Sequence, residues 1–300
     1  MSMKKAILLA VAALFCLTAF SQTRKELYDN LSQSFQDKDS VQTSKIIADW
    51  ERLYPKDAEL YSVYSNLYLT QAMKEVVIVS KEKPEDEEYY VGKDSLGNDI
   101  YIYSIIDIDE GMVDKAVSKL EEGISEFPDR LDFRFGLAHI LYEMERHQEM
   151  VNILYKTLER SKENGNKWTW TLDEKLDDGK SALMETLQGY FQDLYNQPDG
   201  MLLAESYVNK VLQYYPQSIE FLNDKAIFAY DRGDMDEALN QFLKIHEMAP
   251  DDAVVINNIA YMYQQKKDKA NALKFYRLLE KTGDEYYVPL AKKAIAELEK

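Results

Sequence analysis

Reactive side chains are scarce. The chain of 300 residues has one cysteine, Cys16, and three histidines, His139, His147 and His246. A single thiol allows no disulfide within the chain, and Cys16 lies in an amino-terminal segment expected to be removed, which leaves no thiolate for catalysis or metal binding. The histidines lack the spacing of a metal motif, and the pattern assigns His139 and His147 to different helices. No Gly-x-Ser-x-Gly, His-Glu-x-x-His or phosphate-cradling glycine loop occurs. The acids of Asp107-Ile108-Asp109-Glu110 lack the ligand order and mid-loop glycine of a calcium loop, and read as a strand edge or a helix start. The sequence therefore predicts no catalytic residue, no metal and no cofactor. Positive charge is also short, with 36 lysines and arginines against 53 acids and a net charge of −17. That balance disfavours nucleic acid and anionic membrane surfaces, and favours a cationic or neutral protein segment as partner. Its bland use is to keep a helical protein soluble.

One long apolar run is present. Lys4 and Lys5 precede Ala6 to Phe20, and Ala19-Phe20-Ser21 comes ahead of Gln22. These are the charged start, apolar middle and small-residue exit of a secretory signal peptide over residues 1–21. The run is too short to span a bilayer, so no transmembrane segment is expected after cleavage. Phe15 is too bulky for the position before a lipid-bearing cysteine. The sequence thus predicts an exported protein of the periplasm or cell envelope, or a secreted one, with a net charge of about −19 once Lys4 and Lys5 are lost.

The remainder is periodic. Ala226 and Ala260 are 34 residues apart, as are Ala238 and Ala272, Phe242 and Tyr276, and Pro216 and Pro250. Phe221, Leu222, Ala226 and Ala229 recur at helical spacing; Gly233 then stops one helix, and Asp234 starts another with Glu237 three residues on. A second offset recurs four times, from Pro55 to Ser65, Pro128 to Ala138, Pro216 to Ala226 and Pro250 to Ala260. A single hairpin cannot bury such faces alone, so neighbours must stack. The expected hairpins cover residues 24–57, 58–130, 131–160, 181–218, 219–252 and 253–286, with a capping helix over 287–300. Thr43 stands in the first copy where later copies have alanine.

A small residue in the first helix, Gly233-Asp234 at the turn, Ala238 with Phe242 in the second helix and a closing Pro250 resemble the tetratricopeptide repeat. The resemblance implies an all-α fold, a right-handed α-solenoid superhelix of about six hairpins. It also implies a non-enzymatic interaction scaffold whose first helices line a concave groove. The matching outward positions are Ser62, Asn66, Phe135, His139, Tyr142, Glu220, Asn223, Ile227, Tyr230, Asn257, Tyr261 and Gln264, side chains suited to an extended peptide. The lysines and arginines with which one branch of those proteins grips a carboxylate tail are missing here.

Two stretches break the period. About 39 residues are inserted between the helices of the second hairpin. Glu88-Tyr89-Tyr90-Val91 and Ile100 to Ile105 flank Asp94-Ser95-Leu96-Gly97-Asn98-Asp99, predicting a β-hairpin within residues 75–108, while Val76 to Val79 add a third strand or extend the preceding helix. The loop over 161–180 carries Trp168 and Trp170, which act either as a plug that buries area or as a ligand platform. With the many tyrosines, these indoles support an alternative function, a glycan-binding component of an envelope carbohydrate-capture system.

Overall fold

A computed structural model describes residues 22–85 and 87–300; the predicted leader lies outside the described residues. The chain forms two compact units. The first runs to Glu143 and takes in Trp168–Leu176, and the second holds Met144–Lys167 and Asp177–Lys300.

In the first unit, α1 (Arg24–Gln36) begins at a capping box between Thr23 and Glu26, and α2 (Ser40–Leu53) begins at Asp39. Leu27, Leu31, Ile46, Ile47 and Trp50 recur at helical spacing and form one buried cluster with Leu60 and Val63 of α3 (Glu59–Ala72). Thr43 is buried in the alanine position, and its hydroxyl is satisfied by Ser34 Oγ at 2.9 Å and the Asp39 carbonyl at 2.8 Å. The inserted strands follow: β1 (Met73–Ser80), β2 (Tyr89–Lys93) and β3 (Asp99–Ile108) form an antiparallel sheet in the order β1-β3-β2. The stretch Val76 to Val79 is therefore strand, paired as Val77 with Ser104 and Val79 with Ile102. Asp109 then caps α4 (Glu110–Glu126), and its amide donates to the Ala72 carbonyl at 2.9 Å. The insertion leaves and returns at one point, so α3 and α4 still pack as a hairpin. Gly123 of α4 marks their closest approach: a Cβ there would sit 2.9 Å from Tyr61 Cβ and 3.1 Å from the Phe133 ring of α5 (Leu131–Glu143).

The second unit holds α6 (His147–Asn164), α7 (Gly179–Asn196), α8 (Met201–Tyr214), α9 (Ile219–Asp231), α10 (Met235–Met248), α11 (Ala253–Gln265), α12 (Lys269–Thr282) and α13 (Tyr287–Leu298). The 34-residue register is kept to the residue: α11 and α12 repeat the bounds of α9 and α10. Ala226, Ala260, Ala238 and Ala272 are fully buried, with Phe242 and Tyr276 beside them. Asp234, Asp252 and Asp268 each accept an amide hydrogen bond as helix N-caps, which satisfies an orphan donor and sets negative charge at the positive end of the helix. Gly233 ends α9 at φ +82°, and Lys267, its counterpart one repeat later, adopts the same left-handed region at φ +60°.

Candidate functional site

Charge is concentrated in the first unit around Arg130, which is buried, and Arg24, which is half-buried. Arg130 and Glu59 are each 1% exposed and bind in a bidentate pair, Nη1 to Oε1 at 2.8 Å and Nη2 to Oε2 at 3.1 Å. Arg130 also grips Asp132, Nε to Oδ1 at 2.8 Å and Nη2 to Oδ2 at 2.6 Å, and its guanidinium lies 4.3 Å from the centre of the Phe133 ring. Arg24 clasps Asp57 through Nε at 2.6 Å and Nη2 at 2.7 Å, while the Trp50 indole donates to the same carboxylate at 3.1 Å. Burial alone would depress the Arg130 pKa; hydrogen bonds to Asp132 and Glu59 outweigh it and hold the guanidinium charged. With every carboxylate in this group bound to an arginine, none is free to act as a general acid or base.

The tryptophan segment straps onto this network. The Thr169 amide donates to the Asp129 carbonyl at 2.9 Å, and the Leu131 amide donates to the Thr169 carbonyl at 3.0 Å. Leu172 and Asp173 sit at φ +59° and +62°, a conformation that costs L-residues about 1–2 kcal/mol each. The network offsets that strain: the Leu172 amide donates to Glu59 Oε1 at 2.7 Å, and Asp173 accepts from Arg24 Nη1 at 2.8 Å. Trp168 is 1% exposed, with the Arg134 guanidinium 5.8 Å from its ring centre, and Trp170 is half-buried edge-on to Phe135 at 6.1 Å. As loop candidates these indoles present no open pair of faces, because Trp168 is packed beneath the segment that carries it.

Beside the strap lies a cavity of about 320 Å³ lined by Ser62, Asn66 and His139, three of the predicted groove positions, together with Tyr28 and Phe35. Ser65, 1% exposed, brings a buried hydroxyl without a hydrogen-bond partner to its wall.

The second unit gathers more of the predicted residues. Asn223 and Ile227 of α9 face Gln188 and Phe191 of α7 and Val254 of α11 across a cavity of about 380 Å³. An adjoining cavity of about 210 Å³ is lined by Ile227 again, with Tyr195, Tyr230, Asn258 and Tyr261. The Tyr230 and Tyr261 hydroxyls are 3.2 Å apart and their rings meet edge to face at 6.0 Å. Asn223 is buried and accepts from Asn258 Nδ2 at 2.7 Å.

Other predicted positions are occupied. Gln264 Oε1 accepts from Tyr276 OH at 2.6 Å, Phe135 is covered by Trp170, and Asn257 and Tyr142 are half-buried outside these cavities. Sequence reasoning missed Asp224, which lines the larger cavity, although an acid one helical turn before the buried Phe228 was a signal. It also missed Glu59 and Arg130, 71 residues apart, for which no local pattern exists. Among the described residues, no group of three or more histidines, cysteines or acids could hold a metal, and no helix is long and apolar enough to cross a membrane.

No protein-family model matches the chain. Similar solved structures include YrrB, described as a tetratricopeptide repeat protein with an unusual peptide-binding site, at 15% identity over 82% of this chain and 97% of that one, with a TM-score of 0.40. A tetratricopeptide repeat protein from Parabacteroides merdae matches at 13% identity over 92% and 98% of the two chains, with a TM-score of 0.35. PilW, a type IV pilus biogenesis factor, matches at 13% identity over 63% and 80%, with a TM-score of 0.39. The helical-hairpin fold itself stands on the chain's own geometry, two successive hairpins with equal bounds and equivalent buried alanines.

Proposed function

We propose that this protein is a non-enzymatic scaffold of the periplasm or cell envelope that holds an extended segment of another protein on the first-helix face of its second unit. The observation that carries this reading is the row of residues from α7, α9 and α11, which forms two adjoining cavities meeting at Ile227. Neighbouring packed helices are about 8–10 Å apart, and side chains on one face of an extended chain recur about every 7 Å, so successive anchors of a strand can fall into successive cavities. The side chains there are mostly aromatic or amide-bearing, which gives contact area with hydrogen bonding and little ordering cost. Export rests on the Lys4-Lys5 and Ala6 to Phe20 pattern.

The test is a photo-crosslinking residue placed at Ile227 of the exported protein in its native envelope, with a control at Glu121 on α4. A defined protein segment crosslinked at Ile227 and absent at the control is expected. Combining Tyr230→Ala with Tyr261→Ala weakens binding of that segment about tenfold, the loss expected for truncating interface aromatics. Adducts to glycan, or equal crosslinking at both positions, refute the assignment.

A further inference from the structure

The chain shows what a buried carboxylate needs, and one of its buried carboxylates goes without. Asp57, Glu59 and Asp224 are the buried acids among the described residues. The first two are bound by Arg24 and Arg130. Asp224, 4% exposed on α9, has no cation: Gln188 Nε2 donates to one of its oxygens at 2.8 Å, and the other oxygen has no donor among the described residues. The Gln188 Oε1 beside it is buried and has no partner either. Both residues line the cavity of about 380 Å³. Two acceptors without a protein donor, set side by side at a preformed cavity, leave room for N–H or O–H donors from a ligand, because an acceptor left unpaired in low dielectric is costly.

The surroundings select the sign and shape of the donor. Glu220 and Asp252 line the same cavity and, like Asp224, form no ion pair with a lysine or arginine among the described residues. Asp252 uses one oxygen to cap α11. Between these acids the walls are apolar, built from Phe191, Ile227 and Val254. An aliphatic stem with a cationic, multi-donor head fits such a cavity, and lysine and arginine side chains are built that way. A hard divalent ion wants six or more oxygens and finds too few here. We infer that this cavity takes the side chain of a lysine or arginine from the bound segment, with its stem over Phe191 and Ile227 and its head between Asp224 and Gln188.

This deepens the scaffold reading and rests on the same face being the binding face. Asp224 responds to burial first: its carboxyl is pushed up to about 7, Glu220 adds to the rise, and the Gln188 hydrogen bond opposes it. The other titratable groups around it are Glu220, Asp252, Tyr207 and Tyr287. Burial raises both tyrosines, so they stay neutral between pH 6 and 8. A cationic head in the cavity favours the ionised carboxylate, so binding must tighten as pH rises through that range.

The experiment titrates the exported chain with Nα-acetyl-arginine amide, Nα-acetyl-lysine amide and the uncharged Nα-acetyl-citrulline amide, following the methyl NMR signals of Ile227, Val254 and Val255 at pH 6 and pH 8. The two cationic probes are expected to shift those methyls and to bind about tenfold or more tightly than citrulline at pH 8, the value of a charge-assisted pair over a neutral one. Their advantage shrinks at pH 6. Asp224→Asn brings the arginine probe to the level of citrulline, and the exposed Glu220→Gln, which leaves the helix interior untouched, weakens it by about threefold. Citrulline binding as well as arginine, no shift at these methyls, or both variants binding like the parent overturns the inference. If a segment crosslinks at Ile227 while citrulline matches arginine, the charge assignment fails and the scaffold stands. If the probes behave as expected while nothing crosslinks, the scaffold reading fails and the cavity's preference for a cationic side chain stands.

Discussion

Replacing Arg130 with methionine removes four hydrogen bonds to two carboxylates and leaves Glu59, 1% exposed, with the Leu172 amide as its remaining hydrogen-bond donor and Arg24 Nη2 at 3.8 Å as its remaining cation. Breaking a buried ion pair by deleting one partner costs about 3–5 kcal/mol, mainly for the charge left behind. Domains are stable by about 5–15 kcal/mol, so Arg130→Met should consume about a fifth or more of the first unit's stability. Removing both charges, Arg130→Met with Glu59→Met, should recover most of that loss. A residue of about 1–2 kcal/mol remains, because the Leu172 amide then lacks its acceptor and the left-handed turn its support. All three tryptophans, Trp50, Trp168 and Trp170, lie in the first unit, so tryptophan fluorescence in a urea titration reports on that unit alone. Hydrogen exchange at the Leu172 amide should speed up in parallel. High salt should not rescue the single variant, since buried pairs are poorly screened. A single-variant cost under about 1 kcal/mol, or a double variant no more stable than the single, would refute the account of Glu59 as a carboxylate that needs its arginine.

Two further perturbations concern the second unit. Asp224 is raised from 3.8 to about 7 in the folded chain, so between those values the folded state keeps a proton that the unfolded state has lost. Its contribution to stability therefore falls as pH rises from about 4 to 7; Asp224→Asn should remove that slope and be more stable than the parent at pH 8 by roughly 2–4 kcal/mol in urea unfolding followed by circular dichroism, and an unchanged slope would count against it. Lys267 occupies the left-handed position that Gly233 fills one repeat earlier. Lys267→Gly should raise stability by about 0.5–1 kcal/mol and Gly233→Lys should lower it by a similar amount, and equal effects of one sign in thermal unfolding would contradict the equivalence of the two turns.

The second unit was legible from sequence because its constraints are local and repeat. An alanine is needed wherever two helices close on each other, a capping aspartate wherever one begins, and Ala226 with Ala260 and Asp234 with Asp268 recur at one period. The two strands of the inserted hairpin were visible through their alternation, whereas Val76 to Val79 could be read as strand or helix and the acids from Asp107 as strand edge or helix start; Asp107 lies in β3 and Asp109 caps α4. The strap at Trp168–Leu176 had no such signal, since its anchor, the bond from Leu172 to Glu59, joins residues 113 positions apart. The same limit applied to the predicted groove. Asn66 and His139 line a cavity, but Gln264 and Phe135 are taken up by Tyr276 and Trp170, partners that a single-helix pattern cannot foresee.

The acidic surplus divides into uses that differ in what they say about function. Asp39, Asp109, Asp178, Asp234 and Asp268 cap helices, where a carboxylate stabilises the fold and any net charge is incidental. Asp57 and Glu59 are buried against arginines and hold a strained strap in place, so they too are explained by the folded chain itself. Asp224 belongs to neither group. It sits inside a helix, unpaired by any cation among the described residues, and above pH 7 its charge lowers the stability of the unit that contains it. Asparagine would keep the contact with Gln188 without that cost, so folding alone gives no reason for aspartate at this position. A side chain that weakens the fold while lining a preformed cavity is what the cationic occupant inferred above accounts for, stability being given up for interaction.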